Sequence, residues 1–143
     1  MPFSRLYVSE DIDNKLRVLK MRTGLTPNLI CRMGFCLSLS EPGIPDVQLY
    51  SDTQAREFNR YTLTGQYDLF FFSLLRERLS EDGLDTEASL EPQFKAHLSR
   101  GVGLLYQRVK NIEDISILLA PVYKESLIKG SENSTLCAET DAL

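Results

Sequence analysis

The chain has 143 residues, which is enough for one domain with a substantial hydrophobic core. Its 43% hydrophobic and 25% charged residues lie in the range of globular proteins, which excludes a wholly disordered chain. The longest apolar run, residues 69–75, is too short to span a membrane, and the N-terminus lacks the apolar stretch of a secretion signal. Together with three cysteines in no disulfide framework, these features predict a cytoplasmic protein with no membrane contact.

The net charge of −4 conceals two basic segments that contain no acidic residue. Residues 14–40 carry five basic side chains, and residues 92–112 carry four. The two segments would form a polyanion-binding surface if the fold brings them together. The alternative is that they are solvated helix faces.

The predicted elements begin with a strand over residues 3–8, where alternating residues are rich in aromatic and β-branched side chains. Ser9 is expected to cap a helix that ends at Gly24. Thr26 and Pro27 are expected to begin a second helix that runs to about residue 39.

Further along the chain, the pattern predicts a short helix over residues 54–61, a turn at 62–65 and an apolar helix over 68–79. An acidic connection precedes a long helix that begins at Pro92, and a last helix covers residues 112–119. Gly101 inside the long helix predicts close packing against another helix. The fold class is therefore mainly α: a compact helical domain over residues 1–119 with a short N-terminal strand, followed by a polar, flexible tail over 120–143.

The second helix is apolar nearly all round, which indicates burial on two sides. One side carries Leu29, Met33 and Leu37, together with Ile30 and Cys36, and is assigned to the core. The opposite side is assigned to a contact with another subunit and carries Cys31, Phe35 and Leu39. Both helical cysteines are expected to be buried packing residues.

The sequence offers little material for catalysis. His97, the single histidine, lies between basic residues of a helix, where we expect a solvated side chain. The acidic side chains of residues 52–77 are interspersed with arginines, which favours ion pairing over an acid–base pair or a Mg²⁺ site. We therefore predict a protein with no catalytic residue, no metal site and no cofactor, and only a nuclease activity stays open.

The order of strand, capped helix, turn and second helix resembles the ribbon-helix-helix DNA-binding unit, in which two chains pair their strands. In that unit, polar strand residues read the bases. The alternate positions here hold Phe3, Arg5 and Tyr7, of which only Arg5 suits that role. Direct base readout is therefore not expected.

Four longer blocks resemble the DndE family, in the family's order: residues 17–32, 57–65, 74–78 and 96–102. The resemblance covers about residues 5–119. It implies a small helical protein of the bacterial DNA phosphorothioation machinery, which replaces a non-bridging phosphate oxygen of DNA with sulfur. It also implies a tetramer that binds duplex DNA, preferentially nicked, through surface basic residues. Sulfur mobilisation and the ATP-driven steps would then belong to partner Dnd proteins.

Our hypothesis for DNA binding is electrostatic: basic side chains neutralise phosphates and release counterions. A nick makes the duplex easier to bend onto the basic surface, so no base contact is required. Arg60 either contacts DNA or forms a buried ion pair with Glu57. The candidate DNA-binding residues are Lys15, Arg17, Lys20, Arg22, Arg32, Arg60, Lys95, Arg100 and Lys110.

Two alternative functions follow from the same pattern. The first is a ribbon-helix-helix transcriptional regulator of the antitoxin type, which would protect a palindromic operator. The second is a scaffold subunit of the modification complex that has little contact with DNA.

Overall fold

The computed structural model of the chain describes residues 3–50 and 55–118. The mainly helical fold with a short N-terminal strand is confirmed. In chain order the elements are β1 (Arg5–Val8), α1 (Glu10–Thr23), α2 (Pro27–Ser40), a 3₁₀ turn (Val47–Tyr50), β2 (Arg56–Asn59), α3 (Arg60–Thr64), a second 3₁₀ turn (Gly65–Tyr67), α4 (Asp68–Glu81) and α5 (Leu90–Arg108).

The chain divides after Lys110 into two compact units, residues 1–110 and residues 111–143. The second unit is described only over residues 111–118, where a helix is present from residue 113. The predicted tail and the predicted domain boundary after residue 119 lie outside the described residues. No helix in the described part of the chain is long and apolar enough to cross a membrane.

The ends of α1 and the start of α2 follow from local signals that the sequence displays. The Ser9 hydroxyl accepts a hydrogen bond from the Ile12 backbone N–H at 3.3 Å, which satisfies one of the open donors at the start of α1. Gly24 ends this helix with φ of 74°, a conformation that glycine adopts without strain. Pro27 is the first residue of α2, where a missing N–H costs no hydrogen bond.

The hydrophobic core lies where α5 packs against α2, α1 and β1. Four phenylalanines from separate parts of the chain fill part of it. Phe72 and Phe94 stack with ring centroids 4.9 Å apart, and Phe3 and Phe35 contact Phe94 at 5.9 and 5.1 Å. Aromatic rings of this size supply much of the apolar area that a small domain can bury.

The helix predicted over residues 54–61 is wrong, because Arg56–Asn59 forms β2. This strand pairs antiparallel with β1, so that Leu6 lies opposite Phe58 and both side chains are buried. The predicted turn at 62–65 is also wrong. The Asn59 side chain accepts hydrogen bonds from the N–H groups of Tyr61 and Thr62, which begins α3 at Arg60 instead. β1 therefore pairs with a strand of its own chain, unlike the strand of a ribbon-helix-helix unit.

The buried side of α2 differs from the prediction, although Ile30, which was assigned to the core, is 1% exposed as expected. Cys31 and Phe35, assigned to a subunit contact, are 0% and 2% exposed within the chain itself, and Leu39 is half-buried. They face the core because α2 crosses α5 at Gly34, on the same side. Leu29 and Cys36, which were assigned to the core, are exposed instead.

Candidate nucleic-acid interface

The two basic segments meet at one aromatic ring, that of Tyr106 on α5. Around its centroid lie the Lys15 Nζ at 5.7 Å, the Arg22 guanidinium carbon at 4.8 Å and the Lys110 Nζ at 5.6 Å. Lys15 and Arg22 come from the first basic segment, whereas Lys110 comes from the second. We call these four residues the Tyr106 cluster. The arrangement places three positive charges beside one half-buried ring, whose negative face attracts each of them.

The end of α5 fixes two of these cations in place. The Arg22 guanidinium donates hydrogen bonds to the Tyr106 and Val109 carbonyl oxygens, at 3.1 and 3.3 Å. Lys110 also donates to the Tyr106 carbonyl, at 3.3 Å. Carbonyls at a helix C-terminus carry partial negative charge, which favours cations there. Lys15 forms an ion pair with Asp11 at 2.9 Å. Hydrogen bonds and an ion pair within the chain thus fix the positions of the three cationic side chains.

Arg17 and Lys20 are exposed on α1 but lie about 140–160° around the helix from Lys15, away from the Tyr106 cluster. The Arg17 side chain is 71% exposed and forms an ion pair with Asp13 at 3.0 Å. Asp13 is itself buried and is shared with Arg56 at 3.2 Å. Such an exposed pair is weak, so the Arg17 guanidinium is able to exchange its partner for a phosphate.

Arg32 and Arg100, like Arg22, are engaged with backbone carbonyls, and their assignment to DNA contacts stays a prediction. Arg32 donates to the Leu63 carbonyl at 2.6 Å, at the end of α3. Arg100 donates to the Ser38 and Gly43 carbonyls at 2.7 and 3.0 Å, at the end of α2. Burial lowers the pKa of Arg100 from its usual value. Both arginines therefore hold helix ends together.

Arg60 is a core residue, and its assignment to DNA contacts is wrong. It is 2% exposed and makes a two-pronged ion pair with Asp68, at 3.0 and 2.7 Å. The partner is not Glu57, as the sequence suggested, because Glu57 pairs with Arg5 on the sheet surface. Burial acts to raise the pKa of Asp68, but hydrogen bonds from Arg60 and Thr64 outweigh it and hold that pKa below its usual value.

Lys95 lies at the other end of α5 from the Tyr106 cluster. It lines a groove between β1, the turn Val47–Tyr50 and the start of α5. Lys95 and Tyr106 are eleven residues apart, which places them within about 20° of each other around the helix. The groove and the cluster therefore lie on the same side of α5.

His97 is fully buried, so the prediction of a solvated histidine is wrong. Its Nδ1 lies 2.9 Å from the Ser38 hydroxyl, which also accepts a hydrogen bond from Arg100 at 2.8 Å. Burial and the guanidinium groups of Arg100 and Arg78 lower the pKa of His97 to about 4. Ser38 and His97 both have 0% exposure, so a substrate has no access to this pair and its role is structural.

The described residues contain no group of three His, Cys, Asp or Glu side chains that could hold a metal ion. Burial raises the pKa of the Cys31 thiol to about 12, so this residue is inert. Cys36 is exposed, although surrounding apolar groups still raise the pKa of its thiol.

Sequence reasoning identified the two basic segments but missed the residue that joins them. Tyr106 carried a usable signal, because it is an aromatic residue inside an acid-free basic segment and stands four residues before Lys110. The sequence gives no comparable indication that Arg32 and Arg100 bond to backbone carbonyls.

Comparison with known proteins shows which family and which solved structures the chain is similar to. Residues 5–113 match the family model described as DNA sulphur modification protein DndE. A crystal structure of DndE from Escherichia coli B7A, involved in DNA phosphorothioation modification, superposes with a TM-score of 0.60 at 23% identity, covering 73% of this chain and 98% of that one. A DndE G21/24K mutant structure gives a TM-score of 0.58 at 20% identity, with 73% and 99% covered. No curated protein sequence matches the chain significantly.

Proposed function

The chain belongs to the DndE family of DNA sulphur modification proteins, and on this premise we propose that it is a non-catalytic subunit that binds duplex DNA during phosphorothioation. The sulfur chemistry then takes place on partner Dnd proteins in the cytoplasm. The described residues supply a surface of fixed charge, and the polar pair Ser38 and His97 is sealed in the core.

The Tyr106 cluster carries this proposal. Its three cations come from two separate segments of the chain, and the fold holds them close together at the end of α5. Double-stranded DNA has a dense row of phosphates, and cations that neutralise them release condensed counterions. Arg17 and Lys20 lie about 140–160° around α1 from Lys15, so they add to the positive charge of the helix but not to the cluster itself. Binding of this kind follows the backbone and is independent of base sequence.

A preference for nicked DNA is the finer part of the proposal. A continuous duplex resists bending, and the energy of bending a short site amounts to a few kcal/mol. A nick interrupts one backbone and lets the two halves hinge. A rigid basic surface then contacts more phosphates on a nicked duplex than on an intact one.

Self-association into a tetramer is also part of the proposal. The predicted contact on α2 is largely buried within the chain, so we assign the subunit contact to α4 instead. On α4, Leu69 and Phe70 are 77% and 58% exposed, next to the half-exposed Tyr67. Contiguous exposed apolar side chains are typical of surfaces that another chain covers. Leu69→Glu combined with Phe70→Glu should lower the mass observed in sedimentation, and an unchanged mass would exclude this surface as the subunit contact.

The transcriptional regulator is the weaker alternative. In a ribbon-helix-helix unit the strands of two chains pair to read bases, whereas β1 here pairs along one edge with β2 of its own chain. An operator-specific footprint would favour the regulator over the proposed function.

The test is binding to intact, nicked and single-stranded DNA of matched sequence across a salt series. We expect binding to intact duplex that weakens steeply with salt, tighter binding to the nicked duplex, and no dependence on base sequence. Absence of salt-sensitive binding to any duplex would refute the proposal and favour the scaffold role.

A further inference from the structure

A groove of about 290 Å³ opens beside β1, at the end of α5 that is remote from the Tyr106 cluster. Its walls come from β1, from the turn Val47–Tyr50 and from the first turns of α5. The volume is near the lower end of the range of small-molecule sites. The groove is therefore large enough for a compact planar ligand.

Two tyrosines give this groove its aromatic character. Tyr7 projects from β1 and Tyr50 from the 3₁₀ turn, and both are half-buried in the groove. Burial raises the pKa of Tyr50 above its usual value, so its phenol stays neutral and is able to donate a hydrogen bond. Flat aromatic surfaces of this kind stack on nucleic-acid bases of any sequence.

Charged side chains at the same groove complement the other parts of a nucleotide. Arg5 and Lys95 line it and supply positive charge for a phosphate. Arg5 is 64% exposed and is paired with Glu57, at 3.1 Å on the sheet surface. Glu91 also lines the groove, and its carboxylate repels a phosphate but accepts hydrogen bonds from the amino group of a base.

The groove lies in line with the proposed path of the DNA backbone. Lys95 and Tyr106 share one side of α5 and are about 16 Å apart along the helix axis. That distance corresponds to about five nucleotide steps along one strand of a duplex. A strand whose phosphates contact the Tyr106 cluster can therefore present a nearby nucleotide to the groove.

We propose that the groove of Tyr7, Tyr50, Arg5 and Lys95 binds one unpaired nucleotide of DNA, with its base against the tyrosines and its phosphate beside the two cations. This inference rests on the proposed DNA binding and deepens it. Extracting a base from an intact helix costs a few kcal/mol, and an unpaired base at a strand interruption avoids that cost. The groove thus gives a second, local reason for preferring an interrupted duplex.

The test compares two duplexes of one sequence. The first is intact, and the second is nicked and carries a single unpaired 2-aminopurine nucleotide as a flap at the nick. The chain contains no tryptophan, so the fluorescence of 2-aminopurine reports stacking without interference. The variants are Tyr7→Ala with Tyr50→Ala, Tyr7→Phe with Tyr50→Phe, and Lys95→Gln. Tyr61→Ala is the matched control, because Tyr61 is 56% exposed and does not line the groove.

The unmodified chain should bind the flap duplex at least about 10-fold more tightly than the intact one and quench the 2-aminopurine fluorescence. The double alanine variant should lose the quenching and retain only the part of the preference that bending at the nick supplies, while its affinity for intact duplex stays unchanged. The double phenylalanine variant should retain the quenching, and Lys95→Gln should lower flap affinity several-fold. Tyr61→Ala should behave as the unmodified chain.

Two outcomes would overturn the inference in different ways. If the unmodified chain binds both duplexes without quenching the 2-aminopurine fluorescence, the groove is not a nucleotide site and the proposed duplex binding stands. If the unmodified chain binds neither duplex, the proposed function fails and the inference fails with it.

Discussion

Gly34 and Gly101 bring α2 and α5 into direct backbone contact. A Cβ atom on Gly34 would lie 2.9 Å from the carbonyl carbon of Gly101, and a Cβ atom on Gly101 would overlap the carbonyl group of Gly34. No other residue type fits either position without separating the helices. This crossing also determines which side of α2 faces the core.

Gly101→Ala should destabilise the fold by about 3 kcal/mol, because the added methyl group forces the two backbones apart. Gly103→Ala is the matched control, since a Cβ there meets no described atom within 4 Å. In a helix interior that control should leave stability unchanged or raise it by up to about 1 kcal/mol. Urea unfolding measures the free energy of unfolding of both variants. Equal effects of the two substitutions would contradict the close crossing.

Arg60→Ala should destabilise the fold by about 3–5 kcal/mol, because it leaves the Asp68 carboxylate without its partner in a mostly buried site. Arg60→Lys should recover only part of this loss, since a lysine cannot form the two-pronged pair. Arg17→Ala removes an exposed ion pair instead and should change stability by less than about 1 kcal/mol. A small effect of Arg60→Ala in urea unfolding would argue against a structural role for this arginine.

The stability of the fold should fall as pH decreases from about 6.5 to 4, partly through His97. The pKa of His97 is about 4 in the folded chain, and in the unfolded chain the group titrates near its usual 6.5. Between these values the unfolded state binds the proton and the folded state does not, so unfolding is favoured. The loss attributable to His97 is at most about 3 kcal/mol.

His97→Asn isolates this contribution, because asparagine is able to bond with Ser38 but does not titrate. The free energy of unfolding of the variant should depend less steeply on pH over that window, while the carboxylates titrate equally in both proteins. Parallel pH profiles for the two proteins would mean that His97 is not held neutral by the fold.

The two helical cysteines should react at very different rates. The third cysteine, Cys137, lies outside the described residues and is replaced by serine for this test. A thiol reagent should then label Cys36 readily and leave Cys31 unmodified until the chain unfolds, because Cys31 is fully buried. Single Cys31→Ser and Cys36→Ser variants assign the labelled site by mass. Rapid labelling of Cys31 in the folded chain would contradict its place in the core.

The sequence predicted most helices correctly because caps and apolar periodicity are local properties. α1 has Ser9 before it and Gly24 after it, and α5 has a stripe that recurs on one side. It could not decide which side of α2 is buried, since both sides are apolar. That choice depends on the contact between Gly34 and a glycine on a distant helix.

β2 was missed because it is four residues long and its partner β1 lies about 50 residues earlier in the chain. His97 was predicted to be exposed because its sequence neighbours Lys95 and Arg100 indicated a solvent-facing side of the helix. In the structure α5 is covered on more than one side, so even residues beside a lysine are buried. For the candidate site, the sequence located the charges, but only the fold showed that Arg60 is buried and that cations of both basic segments meet at Tyr106.

The Tyr106 cluster is tested by the salt dependence of duplex binding for two variants that each lack two positive charges. Lys15→Gln with Lys110→Gln removes two cations of the Tyr106 cluster, whereas Arg76→Gln with Arg108→Gln removes two cations elsewhere. The slope of log affinity against log salt should become shallower by about 0.9 for each phosphate that the first variant no longer neutralises, and should stay unchanged in the second. Equal slopes in the unmodified chain and the Lys15/Lys110 variant, or equal changes in both variants, would contradict the Tyr106 cluster as the DNA-binding surface.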